Sequence, residues 1–163
     1  MPDRFLQNVV ELIPKLRAYA LVLTRSGSDA DDLIQDALVR AWRYRTGFHE
    51  GTNLKAWLFR ILRNEFLNRV QSGRLLVEDP DGHFAAQLSA EPDQEWRLRY
   101  KDLLRGLDQL SAETREALLL TVGEGYSYDE AAALCDCPVG TIKSRVNRGR
   151  QFLMTYVEGD CSA

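Results

Sequence analysis

SAETREALLLTVGEGYSYDEAAALCDCPVGTIKSRVNRGRQFL, residues 111–153, reads as three short helices separated by two breaks. Ser111 can cap the first, which runs to a Gly-Glu-Gly break at Gly123 and Gly125. Ser127 followed by Glu130 is a capping box opening the second, because hydroxyl and carboxylate each satisfy a backbone N–H that a first helical turn leaves unpaired. That helix is brief and alanine-rich (Ala131, Ala132, Ala133, Leu134) and stops at Cys135-Asp136-Cys137. Pro138 opens the third, where its missing N–H would have no partner anyway. Two short helices joined by a tight turn form a helix-turn-helix pattern.

Placing the third helix at 100° per residue sorts its side chains. Ile142, Val146, Gly149 and Leu153 recur at i, i+4, i+7 and i+11 and must face a core. Lys143, Ser144, Asn147 and Arg148 then point outward, with Arg145 and Arg150 on the flanks. These are donors and acceptors suited to base edges and phosphates. Residues 138–153 carry Lys143, Arg145, Arg148 and Arg150 against no acid. An ordinary solvated face is the bland alternative, and the capping box, the turn and the unopposed charge together weigh against it.

CPVGTIKSRVNRGR resembles the recognition helix of the extracytoplasmic-function sigma factors of bacterial RNA polymerase, and YSYDEAAALCDCPVGTIKSR resembles their whole promoter-reading helix-turn-helix. The resemblance implies that Thr141, Lys143, Ser144, Arg145, Asn147 and Arg148 contact the promoter's −35 element. It also calls for a second domain elsewhere in the chain.

A chain of 163 residues, 45% hydrophobic, can bury one ordinary core or two small ones. No apolar run is long enough for a membrane span. The first twenty residues, interrupted by charge every few positions, are not a signal peptide, so a cytoplasmic protein is expected. Net charge is −3, unusual for a stand-alone DNA binder, but the charges are segregated. Residues 53–75 hold Lys55, Arg60, Arg63, Arg69 and Arg74 against Glu65, a balance of +4, whereas residues 76–95 hold Glu78, Asp79, Asp81, Glu91, Asp93 and Glu95 unopposed, a balance of −6. Two basic surfaces flanking an acidic stretch suit a protein that borrows affinity from a larger partner. Cys135, Cys137 and Cys161 fit a reducing compartment. C-x-C without nearby histidine lacks zinc spacing, so the pair is read as turn residues and neither metal nor cofactor is expected.

From the amino terminus, residues 5–23 read as an amphipathic helix with Leu6, Val9, Val10, Ile13, Leu16, Tyr19, Ala20 and Leu23 on one face. Pro14 predicts a kink or an early end, hence two short helices. After a break at Arg25-Ser26-Gly27, Ser28 can cap a second helix whose first turn holds Asp29, Asp31 and Asp32. Ala30, Leu33, Ile34, Ala37, Leu38 and Ala41 form its inner stripe, leaving Asp32, Gln35, Asp36, Val39, Arg40 and Arg43 outward. DADDLIQDALVRAW resembles the sigma segment that docks on the clamp helices of the polymerase's largest subunit, which implies Asp32, Gln35, Asp36 and Arg40 as core polymerase contacts.

Residues 46–53, TGFHEGTN, form a polar loop, and residues 54 to about 70 a third helix with Leu54, Trp57, Leu58, Ile61 and Leu62 inward. Trp57 is read as core rather than as a stacking platform. LKAWLFRILRNEFLNR resembles the sigma segment that recognises and melts the −10 element. The family's corresponding loop holds a flipped-out base, so Phe48, His49 and Asn53 are candidates to stack on or bond it, with Arg60, Arg63 and Asn64 along the strand. Residues 76–95 read as a flexible acidic linker with prolines at 80 and 92, and helix resumes from Trp96 to Leu110.

The expected fold is therefore all-α: sigma region 2 at 1–75, a linker at 76–95, and sigma region 4, a helix-turn-helix, at 96–163. EDPDGHFAAQLSAEPDQE and residues 115–148 resemble especially the general stress response sigma factors of alphaproteobacteria. The implied partners are core RNA polymerase, promoter DNA and an anti-sigma factor, with the chain a monomer or a heterodimer with that anti-sigma and no membrane contact. The runner-up is a sigma look-alike that titrates an anti-sigma without initiating transcription. An ordinary dimeric helix-turn-helix repressor would leave the 29–42 segment unexplained. An enzyme fits worst, since no Ser/His/Asp set, phosphate-cradling glycine loop or metal cluster is present.

Overall fold

The computed structural model describes residues 4–75 and 94–160. Contacts divide the chain into two compact units, Met1–Glu78 and Asp79–Ala163. Both are built from helices. The linker read over 76–95 lies outside the described residues except for Gln94 and Glu95, which already belong to a helix.

The first unit packs three helices pairwise: α1 (Arg4–Thr24), α2 (Gly27–Arg43) and α3 (Leu54–Gln71), with a single 3₁₀ turn at Arg45–Gly47. Contrary to expectation, α1 runs unbroken through Pro14. Proline removes one hydrogen bond to the carbonyl four residues back. That residue is Val10, which is 61% exposed rather than inward, and Pro14 is exposed too, so water can satisfy the freed carbonyl. Helix α1 ends where Arg25 takes a left-handed conformation, φ +56°, its N–H still bonded to the Leu21 carbonyl at 2.8 Å.

Arg25's turn also moves the next cap. Ser26, not Ser28, closes α2, its Oγ accepting from the Asp29 N–H at 3.3 Å. The inner stripe of α2 is buried at Ala30, Leu33, Ile34, Ala37 and Ala41, while Leu38 is half-buried. Phe59 on α3 is fully buried and stacks on Tyr19, ring centroids 4.8 Å apart at 12°. The expected inward set on α3 omitted Phe59. A helix gripped by two neighbours buries a wider face than one amphipathic stripe predicts.

The second unit comprises α4 (Gln94–Gln109), α5 (Ala112–Leu118), α6 (Tyr128–Cys135) and α7 (Val139–Asp160). Ser111 caps α5, which continues through a wider π turn at Leu119–Gly123 before Gly125, at φ +73°, reverses the chain. Arg115, 2% exposed, ties α5 back to α4: its Nε donates to the Leu107 carbonyl at 3.0 Å and its Nη2 to that of Leu110 at 2.9 Å. Those carbonyls lie at the end of α4, where that of Leu107 also accepts from the Leu110 N–H at 3.2 Å. Helix α7 is longer than expected, extending to Asp160, and Pro138 precedes its first turn instead of lying in it, with its carbonyl accepting from Thr141 N–H at 3.0 Å.

The core of this unit centres on α7, where Ile142 and Val146 are both 0% exposed. Burying each is worth roughly 1.5–3 kcal/mol. Gly149 lies on the same stripe, and a methyl there would come within 2.7 Å of Leu118 Cδ1 and 2.8 Å of Thr114 Cγ2. Gly140 on the same helix has open space around it. Gly149→Val is expected to lower the stability of the second unit by about 1–3 kcal/mol through overpacking. Gly140→Ala should be neutral or stabilising by less than about 1 kcal/mol. Thermal melts of the two variants check the pair.

Candidate nucleic-acid interface

The helix-turn-helix is α6, a three-residue turn and α7. Its entry is the expected capping box: Glu130 N–H donates to Ser127 Oγ at 3.1 Å and Ser127 N–H donates to Glu130 Oε2 at 2.8 Å. Its turn is made by Asp136 in the left-handed conformation, φ +51°, with the Cys137 N–H bonded to the Ala132 carbonyl at 3.1 Å. Aspartate tolerates this conformation better than most residues, so one residue suffices to redirect the chain. Cys135 ends α6 in the core and Cys137 is half-buried in the turn. Tyr126, two residues before α6, is buried, and its phenol is pushed far above its ordinary range by burial first, then by the charges of Glu124 and Glu130, so it remains protonated.

With Ile142, Val146 and Gly149 buried, Lys143, Ser144, Asn147 and Arg148 are all exposed, Arg150 is exposed, and Thr141 and Arg145 are half-buried. Leu153, the fourth member of the stripe, is half-buried. Arg148 Nε donates to the Ser144 carbonyl at 3.4 Å, so its guanidinium lies along the helix. The outward face is cationic and rich in donors, and α7 carries no acid before Glu158.

In the first unit, Asp32, Gln35, Asp36 and Arg40 line the exposed side of α2. The side chains of two of them are engaged with α3, as is the backbone of a third. Asp36 is paired with Arg69, and Arg40 Nη2 lies 3.2 Å from Glu65 Oε2. Arg69 also donates to the Asp32 carbonyl at 3.2 Å and sits 3.8 Å from Glu65 Oε1. At the end of α2, Arg45 stacks over Trp42, 3.9 Å from the ring centroid.

The polar loop brings some candidates together and diverts one. Phe48 is half-buried in an aromatic trio, 6.0 Å from Phe5 and 5.3 Å from Trp57. Trp57 is likewise half-buried. Beside Phe48 opens a cavity of about 270 Å³ whose walls include Arg4, Asn8, Glu50 and Thr52. His49 is exposed, and its carbonyl accepts from Thr52 Oγ1 at 2.7 Å, which closes the loop. Asn53 serves as the N-cap of α3, its Oδ1 accepting from the Ala56 N–H at 3.1 Å. Arg60 and Asn64 are exposed one turn apart on α3, and Arg63 is half-buried beside them.

Glu65, Arg69 and the α1 residues Arg4 and Asn8 were not among the residues singled out from sequence. For Glu65 and Arg69 a signal existed in their i, i+4 spacing and opposite charge. For the α1 residues there was none, because nothing local says that the loop folds back onto that helix.

A three-helix unit with a charged face on α2 and α3, joined to a unit whose helix-turn-helix exposes a cationic face, is the arrangement of a DNA-binding protein of the sigma type. Sigma-70 region 2 matches residues 9–75 and Sigma-70, region 4 matches residues 100–158. The chain is 44% identical over 161 residues to the ECF RNA polymerase sigma factor EcfG of Rhodopseudomonas palustris, covering 98% of this chain and 89% of that protein. Among solved structures, the sigma factor RpoE of Bartonella quintana, in complex with the anti-sigma factor NepR, aligns with TM-score 0.74 at 39% identity over 94% of this chain and 96% of that one. The anti-anti-sigma factor PhyR of Bartonella quintana aligns with TM-score 0.55 at 16% identity, covering 90% of this chain and 48% of that one, a likeness of fold alone. The chain belongs to the extracytoplasmic-function RNA polymerase sigma factors. Among the described residues, no helix is long and apolar enough to cross a membrane.

Because Asn53 caps α3 through its side-chain oxygen, Asn53→Ala should cost about 0.5–2 kcal/mol of first-unit stability, whereas Asn53→Asp should hold the melting temperature near wild type. Equal losses in the two variants would mean that the cap contributes nothing.

Proposed function

We propose that this chain directs promoter-specific initiation by bacterial RNA polymerase, with 1–75 holding the enzyme and the unwound −10 strand and 96–163 reading the −35 element. The observation that carries the proposal is the division of α7 into a buried apolar stripe and an exposed face of Lys143, Ser144, Asn147 and Arg148. No covalent step is involved. Cations neutralise phosphates and set the protein's register on the duplex, while side chains that reach base edges supply discrimination. Asp32, Gln35, Asp36 and Arg40 dock on core polymerase. Phe48, on the wall of the cavity, and His49 and Asn53 in the same loop meet a flipped-out base of the −10 strand, and Arg60, Arg63 and Asn64 follow the melted strand, with Asn53 contributing its amide N–H₂ because its oxygen is committed to the cap. Residues 76–93 connect the two helical parts in sequence.

The chain works in the cytoplasm, controls genes of a general stress response, and is held in check by an anti-sigma factor. The family resemblance and the NepR-bound relative support this. A titrating look-alike shares the fold, as the PhyR alignment illustrates, but identity to sigma factors is far higher than identity to that protein.

Run-off transcription with purified core polymerase separates the two: specific transcripts are expected, and their absence alongside intact anti-sigma binding would establish the look-alike. Within α7, Lys143→Ala should relax sequence discrimination at one position by about 1–3 kcal/mol. Arg145→Ala, at a half-buried flank, should weaken binding more evenly across sequences and reduce the salt dependence by about one ion. Equal loss of discrimination in both variants would contradict the orientation of the helix.

A further inference from the structure

We infer that Glu65 and Arg69 of α3 are positioning residues that hold Asp36 and Arg40 of α2 in the arrangement presented to core polymerase, an inference that rests on the docking role proposed above. Four charges form a chain alternating in sign: Arg40, Glu65, Arg69, Asp36. The inner two expose only 12% and 14% of their side chains, whereas Arg40 and Asp36 expose 45% and 59%. A large partner can reach the outer pair and not the inner one.

The geometry gives each inner residue a definite task. Arg69 Nη2 donates both to Asp36 Oδ2 and to the Asp32 carbonyl while its Nε faces Glu65, which leaves Oδ1 of Asp36 open to accept from a partner's cation. Glu65 divides its oxygens, Oε1 toward Arg69 and Oε2 toward Arg40, so Arg40 is held by charge attraction to a buried oxygen that makes no hydrogen bond, rather than by a directed N–H bond. Asp36 and Arg40 also stand four residues apart with the acid first, the spacing at which two helical side chains attract each other. Each instead reaches across to α3. Without Glu65 and Arg69 they would pair with one another, and docking would first have to break that pair and order both side chains.

The test is a double-mutant cycle on the full chain, read as the dissociation constant for core polymerase with melting temperature as control. Arg69→Met and Asp36→Asn are each expected to weaken binding about three- to tenfold. The double variant should bind no more than about twofold more weakly than the weaker single, because Arg69 acts through Asp36. If Arg69→Met fails to fold, Arg69→Lys runs the same cycle. It keeps the charge but not the separate nitrogens that face Asp36 and Glu65 at once, and should melt near wild type while still weakening binding. Losses that multiply in the double variant, or full affinity in the Arg69 variants while Asp36→Asn binds weakly, would overturn the positioning role. Full affinity in Asp36→Asn would instead overturn the docking face itself, and with it anything that positions it.

Discussion

A methyl group at position 149 would sit 2.7 Å from Leu118 and 2.8 Å from Thr114, so the second unit can close around α7 only because that residue is glycine. The close approach of α5 and α7 is what seals Ile142 and Val146. A helix has one buried side at a time. Once those positions are taken by the core, Lys143, Ser144, Asn147 and Arg148 have nowhere to go but outward. The cationic face is therefore a consequence of packing as much as of composition, and Arg115, by holding the end of α4 against α5, helps fix the frame in which that packing occurs.

The first unit solves a different problem. Its helices are fastened inside by the Tyr19–Phe59 stack and on the surface by the charge chain between α2 and α3. Exposed ion pairs are usually worth little. Here the inner members are largely shielded, so removing one would leave its neighbour as a poorly solvated charge. The same chain orders the surface proposed to meet core polymerase, which would link the stability of the unit to its recognition chemistry. The aromatic trio of Phe5, Phe48 and Trp57 packs against the loop beside the cavity.

Amphipathic order was legible in the residues themselves. The stripe of α7 and the stripe of α2, apart from half-buried Leu153 and Leu38, and the capping box at Ser127 depend on neighbours along one helix, and these stand as read. Features set by competition between nearby signals were not. Ser26 and Ser28 both suit a cap, and the left-handed Arg25 determines which is used. Pro14 reads as a breaker, but a proline on a wet face of a helix held by tertiary packing loses one bond and no more. Features created by two helices meeting were least accessible, since the full burial of Phe59 and the engagement of Asp36 and Arg40 depend on where α3 lies. Asn53 illustrates the overlap: the amide proposed for a base is also the local cap.

The central claim is that α7 presents its 143–148 face to duplex DNA while its other side is locked in the core. Site-specific photo-cross-linking tests it directly, with a reactive residue placed in turn at positions 144 and 147 of α7 and, as exposed controls, at positions 98 and 113. In an initiation complex on labelled promoter, 144 and 147 are predicted to cross-link to the −35 region and 98 and 113 to give only background. Yields from 144 and 147 no higher than from the controls would contradict the account.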